Sequence, residues 1–278
     1  MARKSKHGIF LTIFFSVISV LYLFPIALVV LNSFKKKAYI SKKPFAIPQD
    51  KMFVGLENYA RGIETTKFFQ SFLTSLFITV FSVLAIVFLT SMCAWYISRV
   101  KNAFTTAIYY LCLFSMIVPF QMVMFSLSKI ANMLHLTNPV GIIVVYVGFG
   151  AGLAVFMFCG FVKSIPLEIE EAAMIDGCTP IHTYFQVVLP IMKPTCITVA
   201  ILDAMWIWND YLLPYLVLDM KKWKTLPMAI QYLRGGYGSI DMGAMMGVLV
   251  LSMIPIIAFY MACQKHIIEG VVAGAVKG

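Results

Sequence analysis

Six times along this chain an apolar run lasts long enough to cross a lipid bilayer, at residues 8–31, 71–97, 105–128, 140–163, 194–218 and 242–264. A crossing helix needs about twenty mainly apolar residues. In hydrocarbon there is no water to bond the backbone, so each N–H and C=O must be satisfied within the segment. Helices achieve this, and the strict alternation of a barrel strand is missing from these runs. With 61% hydrophobic and 12% charged residues, the chain carries about half the charge of an ordinary globular domain. The expected fold class is an all-α integral membrane protein, a six-transmembrane-helix bundle forming one domain over residues 1–278. Pro25, Pro119, Pro214 and Pro255 fall inside the runs. Each removes a backbone donor and is expected to kink its helix, which calls for neighbouring helices to cover the freed carbonyls.

Arg3, Lys4 and Lys6 precede the first run in the manner of a signal peptide. The run is too long for a signal core and no small-x-small site follows it, so a retained first span is expected.

The formal net charge is +10, but the basic residues sit in loops and termini. No arginine-rich helix or RNA-binding aromatic motif accompanies them, so a nucleic-acid partner is not expected and anionic lipid headgroups are. Of the cysteines at 93, 112, 159, 178, 196 and 263, five lie inside apolar runs and none forms a Cys-x-x-Cys pair. They read as small core residues, with neither a disulfide framework nor a metal site. There is no Gly-x4-Gly-Lys-Ser/Thr phosphate loop, zinc-spaced His/Cys set or serine elbow. The expectation is a non-catalytic chain that binds no metal and no cofactor itself.

Six spans put both termini on one side of the membrane, together with the connections 98–104 and 164–193. The connections 32–70, 129–139 and 219–241 lie opposite. Nine cations, namely Arg3, Lys4, Lys6, Arg99, Lys101, Lys163, Lys193, Lys265 and Lys277, fall on the side of the termini, and the remaining thirteen of the 22 fall on the other. Counted by the positive-inside rule, this charge distribution opposes a cytoplasmic placement of the termini.

The connection 164–193 is the longest polar-patterned stretch between two late spans. Pro166 has a fixed φ suited to opening a helix, and Glu168, Glu170 and Glu171 follow where negative charge complements the helix dipole. Ala172 and Ala173 allow close approach of another surface. Gly177 is placed to take the left-handed conformation that ends a helix, and Thr179-Pro180 restarts the chain into a second short helix leading to Leu189-Pro190. Among the spans, Asp203 and Asp210 are the carboxylates at membrane depth, seven residues apart and on one helix face. Charge there is expensive and marks a pathway or an interhelical tie. Trp206, Trp208, Asn209, Asp210 and Tyr211 supply hydroxyl-binding and ring-stacking groups of the type that sugars favour, and are the candidate translocation path. For Asp203, a role in holding helices together is expected.

The spacing Glu171-Ala172-Ala173, three residues, Gly177, nine residues, Val187, one residue, Leu189-Pro190 resembles the loop of binding-protein-dependent ABC importer permeases. Val187 stands where isoleucine is more usual. The tail Gly270 to Gly278, Trp208-Asn209-Asp210-Tyr211 and Thr225-Leu226-Pro227 are similar to the carbohydrate permeases of the maltose-system second-subunit type. The resemblance covers most of the chain from about residue 71. Ser126-Leu127-Ser128 and Thr74-Ser75 depart from it, replacing a commoner Pro-Leu-aromatic and Asn-Ser.

The resemblance implies a transmembrane subunit of a carbohydrate importer in a prokaryotic cell membrane, with cytoplasmic termini. Its coupling loop, a cytoplasmic helix-turn-helix over 164–193, would dock on an ATPase through Glu170, Glu171, Ala172, Ala173, Asp176, Gly177, Leu189 and Pro190. Gly274, Lys277 and Gly278 of the tail would also reach toward it. Implied partners are a second homologous permease, two ATPase subunits that hold ATP and magnesium, and an external solute-binding protein. Glycerol phosphate or a polyol is the alternative cargo. An ion-coupled secondary carrier is the rival mechanism, which usually shows repeated halves; no repeat is evident here.

Overall fold

The computed structural model describes residues 6–233 and 240–275. Its elements, in order, are α1 (Lys6–Ser33), α2 (Lys37–Lys42), α3 (Glu57–Thr66), α4 (Phe68–Arg99), α5 (Ala103–Ile117) and α6 (Phe120–Met133). There follow α7 (Pro139–Val162), α8 (Leu167–Ile175), α9 (Pro180–Thr183), a turn of π-helix over Tyr184–Val188 and α10 (Leu189–Ile191). The last are α11 (Lys193–Asn209), α12 (Leu212–Val217), α13 (Leu226–Tyr232) and α14 (Met242–Ala275). Among the described residues no strand forms, and an isolated antiparallel bridge joins Lys35 and Phe53. The fold is all-α.

Among the described residues four helices are long and apolar enough to cross a membrane alone, and up to six crossings result if each of two bent helix pairs makes one. In the run 105–128 the kink expected at Pro119 is a full break. α5 and α6 meet at 110°, because Val118 leaves the helix at ψ 114° ahead of Pro119. The pyrrolidine ring disfavours helical geometry in the residue before it and offers no N–H to continue the ladder. The run 194–218 is broken too: α11 stops at Asn209, Asp210 is extended at ψ 125°, and α12 restarts two residues later. Asp203 and Asp210 therefore do not share one helix face. A further bend of 74° separates Pro180–Ile191 from α11. Pro25 and Pro255 do lie within helices. Pro214 falls in the first turn of α12, where its missing donor leaves no intrahelical bond unmade.

The described residues form two compact units. The first takes in the chain up to Phe69 with Ala229–Ile256, and the second Gln70–Met228 with the chain from Ile257. In the first unit, α3 lies against the start of α14 at glycine-sized separation. A Cβ on Gly62 would stand 2.6 Å from Val248 Cγ2 and 2.9 Å from the Ala244 carbonyl oxygen. Asn58, fully buried, donates to the Ser33 and Lys35 carbonyls at 2.7 and 2.8 Å, and Arg61 holds Asn58 Oδ1 at 2.7 Å and Asp241 at 2.9 Å. Lys35 is 0% exposed, and burial pushes its pKa below the ordinary lysine value. Asn32 Oδ1 and the carbonyls of Lys43 and Pro44, all within 2.9 Å, accept from its ammonium, replacing the water it gave up.

The core of the second unit gathers Ile86, Tyr146, Val155, Phe158, Tyr184, Val188 and Met192. Small residues set the approach here as well: a Cβ on Gly150 of α7 would meet Ile86 Cδ1 of α4 at 2.6 Å. Tyr184 in the π turn bonds Ser91 of α4 through its hydroxyl at 2.7 Å.

Candidate functional site

α8 begins at Leu167, with Pro166 as its N-cap, one residue later than the sequence suggests. Glu168 and Glu170 sit in its first turn, as the helix dipole favours. It ends in a Schellman turn. Gly177 has φ +92°, its N–H bonds the Met174 carbonyl at 3.0 Å, and Cys178 N–H bonds that of Ala173 at 3.0 Å. These two bonds satisfy carbonyls the helix end would otherwise orphan. Thr179 then caps α9, its Oγ1 accepting from the His182 N–H at 3.3 Å, and Pro180 takes the first helical position.

Glu170 and Glu171 are neighbours with opposite fates. Glu170 is 1% exposed. Its Oε1 accepts from Arg99 Nη2 at 2.7 Å and Nε at 3.0 Å, and its Oε2 accepts from Trp95 Nε1 at 2.9 Å. Arg99 Nη2 also reaches the Ile165 carbonyl at 3.0 Å. Three donors on one carboxylate fix α8 to the end of α4. Glu170, expected on the docking surface, thus turns its carboxylate inward because α4 offers that donor set. Glu171, Ala172, Asp176, Gly177 and Pro190 are exposed, and Ala173 and Leu189 half-buried. Around them Leu167, Ile169, Met174, Ile175 and Ile181 also stand exposed, an apolar patch of the type that marks an interaction surface.

At the break after α11, Asp210 accepts from the Leu212 and Leu213 N–H groups at 2.9 and 3.3 Å and from the Tyr146 hydroxyl at 3.1 Å. Its carboxylate caps α12 and ties it to α7. Trp208 is buried and meets the Phe72 ring edge-on at 5.7 Å. Trp206, 41% exposed, and Asn209 lie three residues apart on the open side of α11; Tyr211 is half-buried. Asp203 is 3% exposed, and its Oδ2 has no hydrogen-bond partner. Among the described residues no three His, Cys, Asp or Glu side chains lie close enough to hold a metal ion.

Residues 86–272 match the family described as binding-protein-dependent transport system inner membrane component. The chain belongs to this family. It is 38% identical, over the full length of both chains, to a probable starch degradation products transport system permease protein of Thermoanaerobacterium thermosulfurigenes. A multiple sugar-binding transport system permease protein of Streptococcus mutans is 35% identical over 93% of each chain. A solved bacterial ABC transporter involved in import of the acidic polysaccharide alginate superposes at TM-score 0.79 and 20% identity, over 95% of this chain and 99% of that one. This last likeness shows the fold.

For this permease, sequence reasoning missed Arg99 and Trp95, which are needed to interpret Glu170, and Tyr146, the partner of Asp210. A signal for the first pair was available: Trp95 and Arg99 stand four apart at the end of an apolar run and so share one face of the permease's fourth helix. Of the tail residues, Gly274 lies within α14, while Lys277 and Gly278 fall outside the described residues.

Proposed function

We propose that this permease is the membrane-spanning subunit of an ATP-driven importer of a mono- or oligosaccharide, and that α8 takes its push from a cytoplasmic ATPase. One observation carries the reading. α8 presents Glu171, Ala172 and an exposed apolar patch while Glu170 on the same helix is locked to α4 by a buried ion pair. A surface so anchored passes displacement to a membrane helix instead of slipping. Two such permeases, two ATPases holding ATP and magnesium, and an external solute-binding protein would complete the machine, with the termini in the cytoplasm of a prokaryote. ATPase closure would move α8 and turn the cavity from inward- to outward-facing, and sugar released by the binding protein would enter it. The names of the two relatives, one for starch products and one for multiple sugars, support carbohydrate as cargo. Trp206 and Asn209 are the groups best exposed to meet it.

The test is co-purification with candidate ATPases, wild type against Glu171→Ala, followed by uptake in the complete assembly. Loss of ATPase recruitment in the variant, with sugar-dependent uptake by the wild type, is the expected result. Unchanged recruitment would remove α8 as the docking surface, and uptake of glycerol phosphate or a polyol alone would replace the cargo.

A further inference from the structure

A cup of about 190 Å³ opens where α4 hands over to α5 and α7 ends. Ser98, Lys101, Thr106, Tyr109, Tyr110 and Lys163 are among its lining, and no carboxylate is. Lys163 Nζ stands 5.6 Å from the centroid of the Tyr109 ring. The wall at Thr105 is rigid: its N–H donates to Asn102 Oδ1 at 2.8 Å, and its hydroxyl accepts from the Asn102 N–H at 3.2 Å and donates to the Val100 carbonyl at 2.7 Å. This box starts α5 at the cup and directs the positive end of its dipole there.

Charge balance separates this place from its surroundings. Arg99, the cation next to it in the chain, is matched by Glu170. Lys101 and Lys163 have no carboxylate within salt-bridge distance among the described residues. Two unmatched ammonium groups lining one cup, with tyrosine and threonine hydroxyls beside them and a helix N-terminus at the wall, form a positive concavity that concentrates anions. Lysine binds phosphate as a mobile point charge, and hydroxyls complete the oxygen contacts.

We propose that this cup binds a phosphate group between Lys101 and Lys163, either the headgroup phosphate of an anionic phospholipid or a free phosphate anion. Its position gives the binding a consequence. Lys101 follows Arg99 by two residues, and Lys163 precedes by two the Ile165 carbonyl that Arg99 also holds. A phosphate joining the two lysines braces both strands of chain that meet at the Arg99–Glu170 anchor, stiffening the seat of α8.

The experiment uses the full chain in nanodiscs of phosphatidylcholine alone, of phosphatidylcholine with phosphatidylglycerol, and of phosphatidylcholine with inorganic phosphate in the buffer. Bound lipid is counted by native mass spectrometry, and the unfolding midpoint is followed as each probe is titrated. In wild type one probe binds saturably and raises the midpoint. At about 1 kcal/mol per lysine near a charged surface, K101Q/K163Q binds it roughly thirtyfold more weakly and each single variant roughly fivefold. K221Q/K222Q, which removes as much charge elsewhere, binds as wild type does. A response to phosphatidylglycerol alone identifies a lipid, and a response to inorganic phosphate identifies a free anion. Should the double variant fail to purify, the single variants decide. The proposal is overturned if these lysine variants match wild type with both probes, or if K221Q/K222Q loses as much as K101Q/K163Q.

Discussion

Arg99 and Glu170, 71 residues apart in the chain, meet through two hydrogen bonds of 2.7 and 3.0 Å with the carboxylate almost wholly removed from solvent. The pair joins the end of a membrane helix to the first turn of the short helix that carries Glu171-Ala172-Ala173. Glu171, one residue on, points the other way. Adjacent acids thus divide the work, one holding the element and one presented by it.

Removing one member of a buried pair strands the other charge. Glu170→Ala is expected to destabilise the chain by about 3–5 kcal/mol, and Arg99→Ala similarly, seen as a lowered unfolding midpoint in detergent. Arg99→Met with Glu170→Met should recover much of the loss, though not all, since Trp95 Nε1 then lacks its acceptor. Glu171→Ala should leave the midpoint in place and lose ATPase association. Equal midpoints for Glu170→Ala and Glu171→Ala would contradict this division.

Gly177 closes α8 with φ +92° and nothing within 4 Å of a would-be Cβ. Any penalty at this position is therefore conformational, free of steric clash. Gly177→Ala should cost about 1–2 kcal/mol, and Gly177→Asn less, because asparagine tolerates left-handed backbone better. Thermal unfolding of the two variants side by side checks the order, and ATPase-coupled uptake should fall in the same order as α8 frays.

How far these features were legible in the sequence follows from the range of the interactions. The glycine-ended helix could be read because a Schellman turn is local, and the crossing helices because apolar length is a property of the run itself. The break at Asp210 was hidden. Its cause is a carboxylate that caps two N–H groups just ahead and is steadied by Tyr146, 64 residues away. Glu170 was misplaced for the same reason, since nothing near it in sequence announces Trp95 and Arg99. The bend at Pro119 could have been weighted more heavily, because proline restricts the residue before it wherever it stands.

The segment Trp206 to Tyr211 splits by burial, and its variants should split likewise. Trp208→Ala removes a buried ring packed on Phe72 and should cost about 3–5 kcal/mol. Asp210→Ala unties α12 from α7 and should also lower the midpoint. Asn209→Ala alters an exposed group and should leave the midpoint near wild type while reducing sugar uptake. Trp206→Ala, which also removes an edge-on contact with Tyr146 at 5.5 Å, should lower stability by only about 0.5–1.5 kcal/mol while reducing uptake. Among the described residues Asn209 bonds its own helix, at the Met205 carbonyl, so a loss of uptake with an unchanged midpoint is assigned to the path and not to unfolding. If uptake through both exposed variants equals wild type, the path lies elsewhere.

Gly62 and Gly243 bring α3 and α14 together in the first unit, and the strain of enlarging them differs by what they would meet. A methyl on Gly62 faces the tip of Val248, which can rotate, but also the Ala244 carbonyl oxygen, which cannot. A methyl on Gly243 drives into the side-chain amide of Asn58, the group that holds the Ser33 and Lys35 carbonyls. Overpacking of this order costs about 1–3 kcal/mol. Gly243→Ala should fall at the upper end, because displacing Asn58 also leaves two buried carbonyls without donors. Asn58→Ala in the Gly243→Ala background relieves the clash but not the lost bonds. The double variant should therefore be no more stable than Asn58→Ala alone, and unfolding midpoints of the three chains measure it directly.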